Sequence, residues 1–593
     1  MSPERQRVGV ISQFRPWTKM VGWYDPLQLV RTGAEVIISS IFGRYADRRT
    51  AAMLEMSYTP QGEGKGSESG NESDVGGAFD FTKDDAGAPR REIWVDYVAD
   101  LGDGWHSTYH VAYSVSRPTL SVANVTGAGE RYDLPRANVM IFGGDQVYPV
   151  ASRQEYQNRL VRPYEGALRD SASPNPHLFT VPGNHDWYDN LVAFTRLFCV
   201  GRWFAGWRTR QRRSYFALKL PFGWWLVGTD VQLASDIDTP QLEYFKSIAA
   251  QMGPTDRVIL CLAEPHWIYA KAYEKYDDNA NESNLAFLER RVFQRKTCVF
   301  IAGDLHHYRR HADRSGAQKI TCGGGGAFLH PTHGMDVDSL QGGYTLRTSY
   351  PSVGTSRALA WRNLFFPILN PKFGLATGAL YVLLAWAAKV DLSPFGIMQY
   401  RDVLRFSVDA LVRSQAAVTW ALLLVAGFIL FTDTHSKWYR WIAGPIHAGT
   451  HLLAVLVLGW WATWFTVGPL EMRFESAAQL LTAGALIFAL GWLVGPMIVG
   501  IYFIVSLNLF NRHTGEAFSS LRIRDWKSFL RMKIDEHGVT IYPVGIRRVW
   551  KAWRVSPGGV ESPEWVPDES APKRHHGTPP ALIEPPIFVS REC

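Results

Sequence analysis

The tetrapeptide Gly183-Asn184-His185-Asp186, entered through the apolar run Leu178-Phe179-Thr180-Val181-Pro182, constrains this chain more than any other feature. A strand that stops in Gly-Asn-His-Asp puts an amide, an imidazole and a carboxylate on one tight turn. Four further runs of the same design surround it in order. Residues 93–98 lead into Asp100-Leu101-Gly102-Asp103-Gly104, and residues 139–142 lead into Gly143-Gly144-Asp145-Gln146-Val147-Tyr148. Residues 258–262 lead into Glu264-Pro265-His266, and residues 297–301 lead into Gly303-Asp304-Leu305-His306-His307. Each run is short and rich in β-branched or aromatic residues, which reads as strand. Each candidate ligand follows the C-terminal end of its run, the edge at which open α/β sheets assemble their sites.

Taken in order, Asp-x-Gly, Gly-Asp-x-x-Tyr, Gly-Asn-His-Asp, a lone His after a strand and Gly-x-x-His resemble the calcineurin-like metallophosphoesterase superfamily. The resemblance covers residues 91–335 and implies an α/β fold, a four-layer α/β/β/α sandwich with a dinuclear metal centre at one edge. The commonest first motif there is Asp-x-His, and the commonest second is Gly-Asp-x-x-Asp or Asn. Here Gly102 stands in place of the His and Tyr148 closes the second motif. That pairing is similar to the purple acid phosphatase branch, in which a tyrosinate compensates for the missing His.

The resemblance also implies roles. Asp145 would bridge two divalent or trivalent cations (Mn, Fe, Zn or Mg). Asp100, Tyr148 and His306 would complete one metal; Asn184, His266 and Asp304 would complete the other. A hydroxide between cations about 3.5–4 Å apart is aligned for in-line attack on phosphorus. His185 would not be a ligand; it would face the phosphate and stabilise charge or protonate the leaving oxygen, with Asp186 fixing its tautomer. The family usually has Gly-His-x-His where this chain has Asp304, and a carboxylate there favours Mn, Fe or Mg over Zn. The alternative is that Asp304 only orients a neighbour and His307 enters the shell.

Other residues carry blander readings. His266, after Pro265 in an apolar context, reads without the family frame as a core histidine. Asp103 is expected to cap a helix starting at Trp105. The run Gly323 to Gly326, followed by His330 and His333, reads as a flexible or closely packed turn rather than a loop covering substrate. Arg309 and Arg310 read as a solvated pair rather than a phosphate-steering one.

Beyond residue 371 the composition changes. Residues 374–388, 416–431, 446–467 and 477–510 are apolar and free of acidic and basic side chains apart from histidine. About 20 apolar residues span a bilayer, and a soluble core helix would show a polar face. Four membrane helices are expected, or five if the last stretch divides at Pro496. Lys and Arg crowd both flanks, with Arg347, Arg357, Arg362 and Lys372 before the first span and Arg512, Arg522, Arg524, Lys527, Arg531 and Lys533 after the last. Both flanks therefore read as cytoplasmic, although the loop with Lys389, Arg401, Arg405 and Arg413 fits poorly. No signal peptide is read at the N-terminus. Five unpatterned cysteines read as free thiols of a reducing compartment.

The expected organisation is an N-terminal piece (1–59) with an amphipathic run over 26–45, which packs on the sheet or lies on the membrane. A disordered linker (60–90), the phosphoesterase domain (91–335), a connector (336–370) and the membrane region (371–510) follow. Last come a basic segment (511–556) with a hairpin at 529–535 and 539–546, and a disordered Pro-rich tail (557–593). The formal charge of +7 beside a membrane points to anionic lipid headgroups; no nucleic-acid module accompanies it. Two functions remain open. One is a membrane-anchored, metal-dependent phosphohydrolase acting on a phosphomonoester or phosphodiester, with a lipid-linked ester among the candidates. The other is a non-catalytic binding module of the same fold on a membrane scaffold or transporter.

Overall fold

A computed structural model of the chain describes residues 17–33, 77–125, 131–168, 176–231, 237–274, 280–389, 412–432, 436–556 and 563–593. The strand-like runs of the sequence are strands: β1 (Glu92–Val98), β2 (Val139–Gly143), β3 (His177–Val181), β4 (Arg257–Cys261) and β5 (Thr297–Ala302). The basic segment after the apolar stretches supplies β6 (Lys527–Asp535) and β7 (Val539–Ile546), the expected hairpin. Strands β1, β2 and β3 lie side by side and parallel in an 11-stranded sheet. Strands β4 and β5 are parallel neighbours in a separate, mixed 8-stranded sheet.

The two sheets pack face to face. One buried cluster takes Val95 and Tyr97 of β1, Phe179 and Val181 of β3 and Met532 and Ile534 of β6 from the larger sheet. It takes Ile259 and Cys261 of β4 and Val299 and Ile301 of β5 from the smaller. The alternate residues Trp94 and Val98 face the other way, toward helix α1 (Trp105–Ser116). Period-two alternation is what lets one strand serve two apolar layers.

Several expectations are corrected here. The hairpin is not a juxtamembrane appendage, because β6 pairs antiparallel with β1 from Leu530↔Tyr97 to Asp535↔Glu92. Residues 91–335 therefore do not close a domain without the segment beyond 510. Nor is the tail from 563 on unstructured. Ile587–Val589 and Ala581–Leu582 pair with β7, and Cys593 is disulfide-bonded to Cys298 at the end of the chain. That bond overturns the reading of all five cysteines as free; Cys199, Cys261 and Cys322 are free and buried. The linker is ordered from residue 77 on, where Phe79–Asp80 pairs with Phe216–Lys219; residues 60–76 lie outside the described residues. Residues 26–33 are helical but leave Leu27, Leu29 and Val30 exposed rather than packed on the sheet. The rest of that run lies outside the described residues. Arg309 is buried and donates to the Thr332 carbonyl at 2.8 Å, and Arg310 is ion-paired with Glu584, so neither is a solvated surface arginine.

The apolar stretches form α2 (Pro371–Lys389), α3 (Gln415–Phe431), α4 (Lys437–Val467) and α5 (Ala477–Phe510). Three of them, α2, α4 and α5, are long and apolar enough to cross a membrane; α3, with 17 residues, is shorter. The last stretch is one helix with Pro496 inside it. Because β1 precedes α2 and its partner β6 follows α5, both flanks of the helical region meet in one sheet. The loop charges at Arg401 and Arg405 lie outside the described residues.

Helix α1 carries a buried imidazole with a measurable consequence. His110 accepts a hydrogen bond from the Trp550 amide at 3.3 Å, and burial pushes its pKa down to about 3. The folded state thus holds it neutral while the unfolded chain binds a proton below about pH 6.5. Its contribution is complete above that pH and is lost as pH falls toward 3. The melting temperature is expected to drop from pH 7 to pH 4, and less steeply in His110→Asn. An unchanged slope in that variant removes His110 as a cause.

Candidate active site

Each of the three site carboxylates stands two residues past a strand end, and each has left-handed backbone: Asp100 (φ 58°) after β1, Asp145 (φ 50°) after β2 and Asp304 (φ 65°) after β5. Non-glycine residues hold that conformation only where the surroundings over-determine it, which is common at functional sites. The surroundings here are backbone. The Asp100 amide donates to the Gly144 carbonyl and the Leu101 amide to the Asp145 carbonyl, both at 3.0 Å, which ties the two turns together. Gly102 bridges to Val147, and a Cβ on Gly102 would stand 2.6 Å from the Gln146 carbonyl. A histidine at 102 has no room in this arrangement. Of the two turns the glycine run allowed, it is the closely packed one: a Cβ on Gly323 would meet Asp100 Oδ2 at 2.1 Å.

The Tyr148 hydroxyl is the centre of the cluster. It lies 3.0 Å from Asp100 Oδ1, 3.1 Å from Asp145 Oδ2 and 2.9 Å from His306 Nε2, all four residues being buried. His306 Nδ1 is 2.7 Å from the Phe328 carbonyl, which can only accept. The proton of this imidazole is therefore on Nδ1, and burial, with His330 next, holds its pKa well below the usual histidine range. Nε2 is then a lone pair. One hydroxyl hydrogen faces three acceptors, and it satisfies one.

The electrostatics repeat that shortage. Burial raises Asp100 well above the usual carboxylate range, and Asp145 and Asp304 raise it further. Burial also pushes Asp145 up to about 6; at Asp304 burial and then Asp145 do the same, again to about 6. Asp100 Oδ2 and His266 Nε2 are buried without hydrogen-bond partners. Among the described residues no group of three or more His, Cys, Asp or Glu is arranged to hold a metal ion; the acceptors of Asp100, Asp145 and His306 converge on the Tyr148 hydroxyl instead. By its chemistry the donor set is short of positive charge.

The remaining expected ligands have partners of their own. His266 opens the helix His266–Ala272, buried, its Nδ1 3.8 Å from Glu264 Oε2, and burial lowers its pKa to about 4. Asn184 is half-buried and its amide donates to the Tyr188 hydroxyl at 3.4 Å. Asp304 accepts a hydrogen bond from Tyr269, and its amide donates to Asp100 Oδ1 at 3.2 Å. His307 has Arg309 and His330 as neighbours, whereas Asp304 has Asp145 and His185. That difference favours Asp304 over His307 as the residue facing the cluster.

Two assignments change. Asp186 does not touch the His185 ring: it accepts from the Gly183 amide at 2.8 Å, the Gln146 amide at 3.2 Å and the Tyr156 hydroxyl. It holds the turn, while the Pro149 carbonyl, 2.7 Å from His185 Nδ1, fixes the tautomer. Asp103 is not a helix cap, since Gly104 occupies that position. Its carboxylate accepts from the Val21 amide at 2.7 Å and the Phe328 amide at 3.2 Å. His185 itself is half-buried, its amide 2.9 Å from Asp145 Oδ1, and burial brings its pKa down to about 4.

Three neighbours were not legible in the motifs. Lys527, at the start of β6, is fully buried and bonded to the Ala327 carbonyl; burial lowers its pKa to about 8 against the pull of Asp103, Asp525 and Asp100. His330 stacks on His306 with ring centres 3.9 Å apart. Trp23 stands edge-on to Tyr148, His185 and Phe328 at 6.0–6.5 Å.

No protein-family model matches the chain, and no curated protein sequence matches it. Among solved structures it is similar to one titled "GAP50 the anchor in the inner membrane complex of Plasmodium", at 14% identity over 43% of this chain and 77% of that one, with a TM-score of 0.30. A likeness of that size carries no argument about this chain.

Proposed function

We propose that the chain is a membrane-anchored, metal-dependent phosphoester hydrolase whose two sheets and flanking helices form a metallophosphoesterase-type sandwich. The observation that carries this is the proton deficit at Tyr148: Asp100, Asp145 and His306 all turn acceptors toward one hydroxyl. In this reading Asp100, Asp145, Tyr148 and His306 hold one cation, and Asn184, His266 and Asp304 join Asp145 at a second. Bound cations would supply Lewis acidity toward a phosphoryl oxygen and lower the pKa of water. The protein's own groups do the rest. Asp186 and the Gly183 turn fix His185, whose Nδ1 is committed to Pro149. Its Nε2 is then the atom that exchanges a proton with the leaving oxygen. Neutral in the resting site, it gains the proton as the phosphate charge arrives.

The expected outcome for His185→Ala is retained metal with turnover lowered by roughly 10²–10⁴-fold. Metal analysis and hydrolysis of aryl phosphomonoester and diester probes with Mn, Fe, Zn and Mg would measure both. Turnover at the wild-type level ends the assignment.

The same reading gives four membrane crossings. Both flanks belong to one sheet, which supports an even number of crossings. With three helices long enough, α3 makes the fourth; its 17 residues extend about 25 Å, close to the hydrocarbon thickness. The catalytic side is cytoplasmic on the Lys and Arg of the flanks alone, since the Cys298–Cys593 bond removes the thiol argument, and Lys527 and Arg531 are buried rather than at a membrane surface.

A further inference from the structure

The floor of the site (Asp100, Asp145, Tyr148, His306) is buried, but its rim is not: Trp23, His185 and His330 are all half-buried. Two of these rim residues are chained to the membrane helices by their immediate neighbours. Leu329, before His330, is fully buried among Val499, Phe503 and Leu507 of α5. Tyr24, after Trp23, belongs to the same cluster and meets Phe366, Phe373 and Phe503 edge-on at 5.0–5.8 Å. Three residues after His330, His333 Nε2 is 3.2 Å from the Asn508 side chain of α5. The rim is thus fixed at the level where α5 ends and α2 begins.

At that level the surface is apolar where it has no protein partner. The helical stretch 353–369 buries Ala360, Asn363 and Phe366 and exposes Trp361 (57%), Leu364, Phe365 and Ile368 (72%). The stretch is α-helical over Val353–Ala360 and Phe366–Leu369 with a 3-10 turn, Trp361–Phe365, between them, and these four apolar side chains are all on its exposed side. The stretch runs directly into α2 at Pro371, so any bilayer crossed by α2 begins beside this face. The helix 26–33 adds exposed Leu27 (82%) and Val30, and Asp25 before it is ion-paired to Lys372 on the first turn of α2. Exposed Arg357 and Arg362 lie among these apolar residues. Aromatic and aliphatic side chains flanked by arginines are the composition of a helix lying in the headgroup layer.

We propose that this face rests in the bilayer interface and that the substrate is a phosphoester carried on a membrane lipid headgroup, reaching the site past Trp23 and His330. The inference rests on the hydrolase reading above and narrows it. A lipid substrate needs no long excursion from the bilayer, because the rim and the interfacial face share one helix end. A water-soluble phosphoester gains nothing from that arrangement.

The test uses the full chain reconstituted in vesicles with Mn, Fe, Zn or Mg. Dioleoyl phosphatidic acid and phosphatidylglycerol serve as lipid phosphomonoester and diester. Glycerol 3-phosphate and an aryl phosphate serve as the tail-free probes. The expected result is a kcat/KM for one of the lipids at least about tenfold above that for glycerol 3-phosphate. The variant W361S/F365S/I368S is expected to lower lipid turnover by about tenfold while leaving aryl phosphate hydrolysis in detergent unchanged. L27S/V30S, on the other exposed helix, is a second variant should the first fail to fold. Hydrolysis of the tail-free probes at equal or greater efficiency overturns the lipid inference and leaves the hydrolase standing. No hydrolysis of any probe overturns both.

Discussion

Asp145→Asn is expected to abolish phosphoester hydrolysis, by at least about a thousandfold or ~4 kcal/mol, and to empty the metal site while making the metal-free protein more stable. The three effects share one cause. Asp145 is buried beside Asp100 and Asp304, and its carboxyl is pushed up to about 6 because the charged form has lost its water. Without cations that charge is a liability to the fold; with them it is the group that joins the two halves of the proposed centre. The substitution preserves shape. Asn Oδ1 can still accept the His185 amide that Asp145 Oδ1 accepts at 2.9 Å. A neutral side chain also leaves less repulsion on Asp100. Metal stoichiometry, turnover and the melting temperature with and without chelator read the three effects separately. A variant that melts lower than the parent in chelator would show Asp145 to be a structural carboxylate, and the proposal would fail with it.

What was legible in the sequence was local. Short apolar runs rich in β-branched or aromatic residues and followed by Asp, Asn or His located β1 to β5 and the turns after them, because such local patterns and turn chemistry are written into neighbouring residues. The hairpin Lys527–Asp535 and Val539–Ile546 was legible for the same reason. Its partner was not. Nothing in residues 527–535 says that they pair with β1, more than 430 positions earlier, where the Arg531 to Asp96 separation is 435 residues. The disulfide is hidden likewise, since Cys298 and Cys593 are 295 residues apart and carry no spacing pattern. The tail misled through composition: its prolines suggest disorder, yet Ile587–Val589 pairs with β7 as a short strand. At the site the motif residues were found, but the role given to Asp186 was wrong. The tautomer of His185 is set by a backbone carbonyl, Pro149, and backbone acceptors leave no trace in residue identity.

The return of the chain after the apolar helices also sets the largest expected loss of stability, at Arg531. This residue and Asp96 are both fully buried, and their contact is bidentate: Nε to Oδ1 and Nη2 to Oδ2, each at 2.7 Å. The guanidinium also donates to the Leu134 carbonyl at 3.2 Å and the Val115 carbonyl at 3.1 Å. Burial raises the Asp96 pKa, and Arg531 opposes that rise. Arg531→Ala leaves a carboxylate and two carbonyls without a partner in an apolar interior, which costs about 3–5 kcal/mol. Asp96 lies on the strand that ends just before Asp100, so the loss of order should reach the site and turnover should fall with stability. Replacing both partners by apolar residues, in Asp96→Leu with Arg531→Met, removes the unpaired charge as well as the pair. The double variant is therefore expected to recover most of the melting temperature that Arg531→Ala loses. Chemical or thermal unfolding of the three proteins in detergent tests this. A loss below about 1 kcal/mol in Arg531→Ala would mean that β6 is held to β1 by its backbone ladder and apolar face alone.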